Sequence, residues 1–405
     1  MQFPQTILLT DVPPGRADTG GVFLRDLCCM IPPEQLSCFL AVRGSSAALR
    51  QDLPWLQTIH GSVPPEYGYT RLGGSVNRRT RFVVEWIIEQ CRLPRVAAGV
   101  LRLAKERSAE LVWAPVYSPS GIRIAERVQR GLSAPVHPLV WDPPAYRIRP
   151  FRLDPRSSRR VLRSFDRLLG SAPRCGVASE PMRRAYEEKY GCPATTLIRG
   201  VSRPDGLSAK CSTPGPFTIG VAGRLYATDA WNALLGALNL HNWRVAGKEV
   251  VVKILGSDFR YTGSIPVRLE VLGWRDDRET VALLAAMDLA YLPYRFDDDF
   301  VEAARLSFPN KLATYVAARV PVLYHGPQQS SPTEFFRRFP VGMGCQSLEP
   351  NQILSQLKQA LTDGEFRTRA REACDDAYQE ELSPAVFRRR FAEFIGVPAS
   401  LLRRQ

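Results

Sequence analysis

The sequence predicts an α/β protein built from two tandem Rossmann-like, doubly wound domains. Three observations predict this fold class. Short apolar runs alternate with amphipathic helical patterns along the chain, and this alternation is typical of parallel sheets covered by helices. The 405 residues are enough for two domains of about 150–200 residues each. A polar stretch near the middle of the chain, "SRPDGLSAKCSTPGP", has the composition of a linker.

The first series of elements predicts an N-terminal domain over residues 1–203. A strand at 6–10 is followed by a Pro/Gly loop and a helix from about 22 to 30, so Gly20 and Gly21 are expected just before that helix. In "RCGVASEPMRRAYEEKYG", Pro181 suits a helix start and Gly191 a helix C-cap. Further strands are expected within 36–42, 110–121, 135–144 and 174–178.

The second series predicts a linker at 204–216 and a C-terminal domain over 217–382. Its strands are expected within 217–224, 249–258, 267–274, 288–295 and 320–326. A last segment, 383–405, contains a helix that begins with Ser383 as its cap. Phe387, Phe391 and Phe394 follow at helical spacing, which favours core packing, and we expect this helix to pack back on the N-terminal domain.

Composition excludes several classes of protein. Nine cysteines show no CxxC pair, which argues against a zinc site and favours reduced thiols in a cytoplasmic protein. No apolar run approaches 18 residues, so no membrane-spanning helix is expected. The N-terminus does not have the pattern of a secretion signal. Walker, HExxH and Ser–His–Asp signatures are not found.

The chain is strongly basic, and its cations are mostly arginine. The formal net charge is +14, and only seven of the 54 basic residues are lysine. Arginine suits the recognition of phosphates and acidic surfaces because its planar fork makes paired hydrogen bonds. The compositional bias of a GC-rich genome explains the same excess, and the sequence leaves both explanations open.

Glycines stand where several strands of the second series end. They occur in the pairs Gly223-Arg224, Gly256-Ser257 and Gly273-Trp274, and again at Gly326. Ligands bind outside the carboxyl ends of the strands in open parallel sheets, and a glycine there lets the backbone approach a phosphate. Each glycine alone indicates only a turn, but the series predicts a ligand site.

Lys311 is the strongest single candidate for holding an anion. It lies in the first turn of a predicted helix at 309–318, where a cation opposes the helix dipole. An anion bound at the same place would account for the lysine. Ser307 and Asn310 stand beside it, either as further ligands or as part of the helix start. Arg224 suits a contact with the same anion, although a solvated surface arginine is the alternative.

Four segments together resemble the donor domain of GT-B glycosyltransferases, the large retaining group that uses nucleotide sugars (family 4, or group 1-like). They are "VAGRL", "ILG", "VLGWRDDRETVALLAAMDLAYLPYR" and "SFPNKLATYVAARVPVL". The resemblance covers 217–325, and the N-terminal half fits more loosely through Gly20-Gly21 and 174–190. It implies that Arg224 and Lys311 hold the diphosphate, and that the turns at Gly256-Ser257 and Gly273-Trp274 receive the base. It also implies a nucleotide-sugar co-substrate without a metal or another cofactor.

Two positions depart from the pattern of the family. Thr314 stands where the family has a glutamate for the ribose hydroxyls, and Asp229 stands where it often has a lysine. A neutral hydrogen bond is about half as strong as a charge-assisted one, so the resemblance implies weakened donor binding. The alternatives are therefore a non-catalytic relative that binds a nucleotide or a partner, and a nucleotide-sugar epimerase.

The N-terminal half offers residues for the acceptor hydroxyl. Asp142 follows a predicted strand in "VWDPP", where a carboxylate would orient or deprotonate an acceptor, and Asp11 in "LTDVPPG" has a similar position. A turn aspartate is the alternative for each. His137 and His325 are expected to be structural.

The stretch 147–167 is the most basic part of the chain. On a helix, Arg156, Arg159, Arg160, Arg163 and Arg167 would share one side. This favours peripheral contact with an anionic membrane, at the inner face of the cell membrane, although a solvated helix face is the alternative. Nucleic acid ranks last as a partner, because no nucleic-acid-binding module accompanies the arginines.

Overall fold

The structure is a computed structural model, and it describes residues 2–16, 18–41, 52–61, 83, 86–207, 215–256 and 268–404. The chain divides into two compact units. The first unit is Met1–Leu197 together with Arg388–Gln405, and the second is Ile198–Phe387. Most of the predicted linker at 204–216 lies outside the described residues, and so does Ser257.

The first unit contains a parallel sheet. In its described residues the strands are β1 (Thr6–Thr10), β2 (Leu36–Leu40), β3 (Gln57–His60), β4 (Leu111–Pro115), β5 (Val136–Val140), β6 (Cys175–Val177) and β7 (Ala194–Thr196). Their order is β3-β2-β1-β4-β5-β6-β7, and every neighbouring pair is parallel. The strand order reverses between β1 and β4. The carboxyl ends of these two strands form the switch point where such sheets bind ligands.

Helices connect these strands. They are α1 (Thr19–Met30), α2 (Leu93–Glu106), α3 (Pro119–Gly131), α4 (Pro144–Ile148), α5 (Pro155–Ser171) and α6 (Glu180–Tyr190). The expected start and end of α6 are confirmed, because Pro181 lies in its first turn and Gly191 follows it in a left-handed conformation. The expected start of α1 near residue 22 is wrong. The helix begins at Thr19, so Gly20 and Gly21 lie inside its first turn, and the carboxylate of Asp18 accepts the N–H of Gly21 at 2.7 Å.

The second unit repeats the α/β arrangement. Its described strands are β8 (Phe217–Ala222), β9 (Arg244–Val245), β10 (Lys248–Leu255), β11 (Leu269–Val271), β12 (Leu289–Pro293), β13 (Val322–His325) and β14 (Gly342–Cys345). The parallel path is β11-β10-β8-β12-β13-β14, and β9 pairs antiparallel with β10. All six residues of β8 are buried. Here the switch point lies between β8 and β12.

The helices of the second unit cover this sheet. They are α7 (Thr228–Leu240), α8 (Asp277–Ala285), α9 (Val301–Leu306), α10 (Asn310–Ala317), α11 (Ser331–Arg338), α12 (Pro350–Thr362) and α13 (Gly364–Ala377). The apolar core joins β8, β10 and α7, with Trp231 of α7 fully buried among Ile219, Val252 and Leu357.

The last helix, α14 (Pro384–Ile395), carries the phenylalanines that the sequence assigns to core packing. Phe387, Phe391 and Phe394 are all buried, and this prediction is confirmed. Within the first unit the Phe391 ring packs edge-on against Trp113 at 5.7 Å, and the Phe394 ring lies 5.8 Å from His137. Because of this packing, the end of the chain is part of the first unit.

The arginine-rich face of α5 forms as predicted. Arg156, Arg159 and Arg163 are exposed. Arg167 instead donates from Nε to the buried carboxylate of Glu126 at 2.9 Å, and this ion pair fastens α5 to α3. Membrane contact through this face stays a prediction, which co-sedimentation with anionic vesicles measures. Among the described residues, no helix is long and apolar enough to cross a bilayer.

Candidate functional site

The candidate site lies at the carboxyl end of β8 in the second unit, where two glycine turns meet. Gly223 has φ +71, in the left-handed region that favours glycine, and its N–H donates to Leu255 at 2.7 Å. A Cβ added to Gly256, which follows β10, would lie 2.5 Å from the carbonyl oxygen of Gly223. Both positions therefore require glycine. The two turns bring backbone from β8 and β10 together at the switch point.

Lys311 joins these turns from α10. Its Nζ donates to the carbonyl oxygen of Arg224 at 2.5 Å and lies 5.4 Å from the centroid of the Tyr226 ring. The structure thus brings together Gly223, Arg224 and Lys311, which the sequence singles out separately. Burial lowers the pKa of Lys311 to about 8. Among the described residues, no carboxylate lies within ion-pair distance of this half-buried ammonium group, so an anion would find a cation without an acidic partner here.

Tyr315 fixes α10 to the sheet. Its hydroxyl donates to the carbonyl oxygen of Tyr291 in β12 at 3.0 Å and accepts the N–H of Ala222 in β8 at 3.0 Å. The Tyr315 side chain is fully buried. Because Lys311 lies one turn earlier on the same helix, this hydroxyl sets the position of the lysine relative to both strands of the switch point.

Replacing Tyr315 with phenylalanine is expected to lower the free energy of unfolding by about 1–3 kcal/mol, because the buried N–H of Ala222 would lose its acceptor. Urea unfolding followed by circular dichroism measures this change. Phe335→Leu, which alters a half-buried ring on α11, is the control. An unchanged urea midpoint for Tyr315→Phe would mean that the two hydrogen bonds do not fasten α10.

The C-terminal end of α10, where Tyr315 lies, is also held by arginines that the sequence did not indicate. Arg203 donates to the carbonyl oxygens of Val316 and Ala317, at 3.2 and 3.0 Å, and to the carboxylate of Asp375 at 2.6 Å. Arg319 follows the helix with φ 56, and its guanidinium also donates to Asp375 at 2.6 Å. Cations at a helix C-terminus stabilise it, so Tyr315 and these arginines together anchor the C-terminal turn of α10.

Asn310 lies at the start of α10 as expected, but Ser307 does not. The described α10 begins at Asn310, and Pro309 precedes it without a side-chain cap. Ser307 belongs to the end of α9, where its N–H donates to Ala303 at 2.8 Å and its carbonyl oxygen accepts from Ser331. The expectation that Ser307 lies at the helix start is therefore wrong. A role of either side chain in binding stays a prediction.

Asp229, which stands where the resembling family often has a lysine, makes a structural hydrogen bond. One carboxylate oxygen accepts the N–H of Phe296 at 2.7 Å, and the other is buried without a hydrogen bond among the described residues. Asp229 therefore fixes the loop after β12. Asp229 therefore supplies no cation for a diphosphate at the position where the resembling family often has a lysine.

His325, at the end of β13, is structural as expected. Its Nδ1 lies 2.7 Å from the hydroxyl of Tyr291, and its Nε2 lies 2.8 Å from the carbonyl oxygen of Ser347. The side chain is fully buried, and this burial lowers the pKa of His325. His137 of the first unit is likewise buried, and its pKa is lowered to about 4.

The residues assigned to the base and the ribose lie on different elements of the second unit. Gly273 follows β11 with φ +74, and the next residue, Trp274, is 64% exposed. Thr314 is half-buried on α10. An exposed indole three residues after a strand end offers a flat apolar face to a ring.

The switch point of the first unit carries a second polar cluster. Asp11 follows β1, and its Oδ2 accepts the N–H of Ser118 at 2.9 Å. Its Oδ1 is buried without a hydrogen bond among the described residues, and desolvation raises the pKa of Asp11. Asp142 is the second residue after β5 and is half-buried. The catalytic role of Asp142 stays a prediction, and so does ligand binding by Gly20 and Gly21.

The described residues contain no group of three or more His, Cys, Asp or Glu side chains that could hold a metal ion. The expected absence of a metal stays a prediction.

Comparison with known proteins identifies the architecture. No family model matches the sequence, and no curated protein matches it. Solved structures do. The chain is similar to HepE from Anabaena, determined in complex with UDP and glucose, with a TM-score of 0.64 and 13% identity over 97% of this chain and 100% of that one.

Two further structures agree with this comparison. The lipopolysaccharide outer core galactosyltransferase WaaB has a TM-score of 0.59 and 11% identity, over 96% of this chain and 99% of that one. Sucrose-phosphate synthase from Thermosynechococcus elongatus has a TM-score of 0.59 and 13% identity, over 92% and 95%. All are GT-B glycosyltransferases. The chain has the GT-B fold.

Proposed function

We propose that the protein is a glycosyltransferase that moves a sugar from a nucleotide-sugar donor to a hydroxyl acceptor, with retention at the anomeric carbon. The observation that carries the proposal is the ammonium group of Lys311, held against the Gly223-Arg224 turn without a carboxylate partner among the described residues. A nucleoside diphosphate supplies the anion that this arrangement lacks.

The donor proposed is a uridine diphosphate sugar. HepE, one of the structural neighbours, has been determined with UDP and with UDP-glucose. In this chain the diphosphate would contact Lys311 and Arg224, and the base would lie on the turn at Gly273-Trp274. Backbone N–H groups near Gly223 and Gly256 would complete the phosphate contacts.

The chemistry follows from the charge that develops as the sugar leaves. The bond between the anomeric carbon and the diphosphate oxygen breaks as the acceptor oxygen bonds to the same carbon, and the electron pair of the broken bond stays on the diphosphate oxygen, where negative charge grows. The acceptor hydroxyl gives its proton to the departing diphosphate. A half-buried cation that is already fixed in place stabilises this charge without reorganisation. Tyr315 and Arg203 contribute by keeping α10, and therefore Lys311, in position.

Nucleotide binding and release provide the test. We expect UDP and UDP-glucose to raise the melting temperature of the protein, and we expect UDP to be released from UDP-glucose only when a hydroxyl acceptor is supplied. A melting temperature unchanged across UDP, GDP and ADP sugars would contradict the proposal.

A second candidate is a non-catalytic GT-B relative that binds a nucleotide or a partner. Thr314 and Asp229 favour it, because each replaces a residue through which the family holds its donor. Nucleotide binding without release in the presence of a broad acceptor panel would favour this candidate. Conversion of UDP-glucose to an isomer without release of UDP would instead favour an epimerase.

Replacing Thr314 with glutamate is expected to strengthen UDP-glucose binding about threefold to tenfold, because a carboxylate hydrogen bond to a ribose hydroxyl is stronger than a neutral one. Isothermal titration calorimetry measures the change. Thr314→Gln, which has the same length without the charge, is the matched control. Weaker binding by Thr314→Glu than by Thr314→Gln would mean that the ribose is held elsewhere.

A further inference from the structure

The contacts of the Lys311 side chain do not require it to be charged. A Cβ added to Gly223 would lie 3.4 Å from Cε of Lys311, so the lysine stem packs directly on the glycine turn. Nζ donates to the carbonyl oxygen of Arg224 at 2.5 Å and lies 5.4 Å from the centroid of the Tyr226 ring. A neutral amine also donates to a carbonyl oxygen, and its lone pair stays free.

Other lysines of the chain have different surroundings. Lys189 also lies over a tyrosine ring, that of Tyr190, but it forms an ion pair with Asp166 at 3.1 Å, and an opposite charge keeps an amine protonated. Lys358 is exposed. Lys311 is half-buried, and burial lowers its pKa to about 8. At pH 7 the neutral amine is therefore present in about a tenth of Lys311 side chains, against about 0.04% for an ordinary lysine.

The neutral form of Lys311 is a nucleophile beside an anion site. A partly desolvated lysine amine attacks carbonyl carbons more readily than an exposed one, because more of it is unprotonated. The turns at Gly223 and Gly256, to which the proposed function assigns phosphate contacts, lie next to this amine. A small molecule that carries both a phosphate and a reactive carbonyl group would therefore be bound with its carbonyl group close to Nζ.

We propose that Lys311 is a modification site that reacts with acyl phosphates, and that its acylation prevents donor binding. The lone pair of Nζ forms a bond to the carbonyl carbon of the acyl phosphate. The bond between that carbon and the phosphate oxygen breaks, and its electron pair leaves with the phosphate. The proton of the amine passes to the released inorganic phosphate, and Lys311 becomes a neutral amide.

The consequence for donor binding follows from the lost charge. Acylation of a lysine removes its positive charge and its ability to form a charge-assisted bond, so the diphosphate loses the cation assigned to it. This inference rests on the proposed function for the place of the phosphate. It deepens that function by naming how the same site is regulated.

Acetyl phosphate is the probe, and mass spectrometry of peptides measures the rate of acetylation at each lysine. In wild-type protein at pH 7 we expect Lys311 to be acetylated at least tenfold faster than Lys358 and Lys189. Inorganic diphosphate should slow the reaction at Lys311 at least tenfold and leave Lys358 unchanged. The N-hydroxysuccinimide ester of acetic acid carries no phosphate, so its preference for Lys311 over Lys358 should be at least threefold smaller.

The pH profile of acetylation gives a readout that an exposed lysine does not share. The rate at Lys311 should rise about tenfold from pH 6 to pH 7 and level off above about pH 8, where the amine is already neutral. The rate at Lys358 should still be rising at pH 9. Arg224 and Tyr226 are the ionisable residues in contact with Nζ among those that the structure describes.

Lys311→Arg links the modification to donor binding. The guanidinium keeps a positive charge but is not acylated under these conditions. Treatment with acetyl phosphate should weaken UDP binding by wild-type protein at least tenfold, in proportion to acetylation of Lys311, whereas the affinity of Lys311→Arg should be the same before and after treatment. Lys358→Arg removes a different acylation site and should lose UDP affinity on treatment as wild type does. Calorimetry measures the affinities, and thermal melting confirms that each variant is folded.

Three results would overturn the inference. They are equal acetylation rates at Lys311 and Lys358, absence of protection by inorganic diphosphate, and the same preference for Lys311 with both reagents. The last result would show a reactive lysine that does not recognise phosphate. These measurements use wild-type protein without a nucleotide or an acceptor, so they are separate from the proposed function, which fails if UDP neither binds nor is released.

Discussion

Replacing Lys311 with methionine is expected to weaken UDP binding at least tenfold. Methionine keeps the unbranched apolar stem of the side chain as far as Cε but removes the ammonium group that lies against Arg224. A charge-assisted hydrogen bond to a phosphate is among the stronger contacts that a protein makes. Among the described residues, no carboxylate lies close enough to Lys311 to compete with the phosphate for this cation. Isothermal titration calorimetry at pH 7 measures the loss.

Lys358→Met is the matched control. Lys358 is an exposed lysine on α12 of the same unit, so its loss removes one positive charge without touching the Gly223-Arg224 turn. We expect its UDP affinity to stay within twofold of wild type. Arg224→Ala should lower the affinity at least tenfold, as Lys311→Met does. Wild-type affinity in both of these variants would show that the diphosphate lies elsewhere.

The pH dependence of UDP binding follows from the same lysine. Burial lowers the pKa of Lys311 to about 8, so the side chain is a cation below that pH and becomes neutral above it. The dissociation constant of UDP should therefore rise from pH 7 to pH 9 in wild-type protein, whereas Lys311→Met should show a flat profile over this interval. This difference separates the charge of Lys311 from its packing.

Much of the fold is predictable from the sequence because the strands concerned are buried and apolar along their whole length. β1, β8 and β12 are examples, and every residue in each of them is buried. The strand β14, "GMGC", was not predicted, because a run with two glycines has no apolar pattern. A Cβ added to Gly342 would collide with the backbone of Val322 in β13. The glycine is needed because β13 lies so close, and this contact is not visible in the sequence of β14 alone.

The site is predictable to the extent that its chemistry lies in local motifs. Gly223, Arg224 and Lys311 are recognisable because a glycine ends a strand and a lysine begins a helix, and the structure brings them together. The contacts of Tyr315 and Arg203 are not visible in this way, because each joins residues 24 or more positions apart in the chain.

Replacing Trp274 with alanine is expected to weaken UDP binding about tenfold or more. The indole is 64% exposed and follows Gly273, whose φ of +74 sets the turn after β11. Stacking of a base on an aromatic side chain contributes about 1–3 kcal/mol, and removal of the indole would forfeit this contribution. Trp274→Phe retains a ring and should retain most of the affinity.

Comparison of UDP with inorganic diphosphate identifies which part of the nucleotide Trp274 contacts. If the indole stacks on the base, Trp274→Ala should weaken UDP binding and leave diphosphate binding unchanged, whereas Lys311→Met should weaken both. Trp86→Ala removes an exposed indole from the first unit and should alter neither. Equal losses for UDP and diphosphate in Trp274→Ala would mean that the turn after β11 supports the phosphate contacts and that the base lies elsewhere.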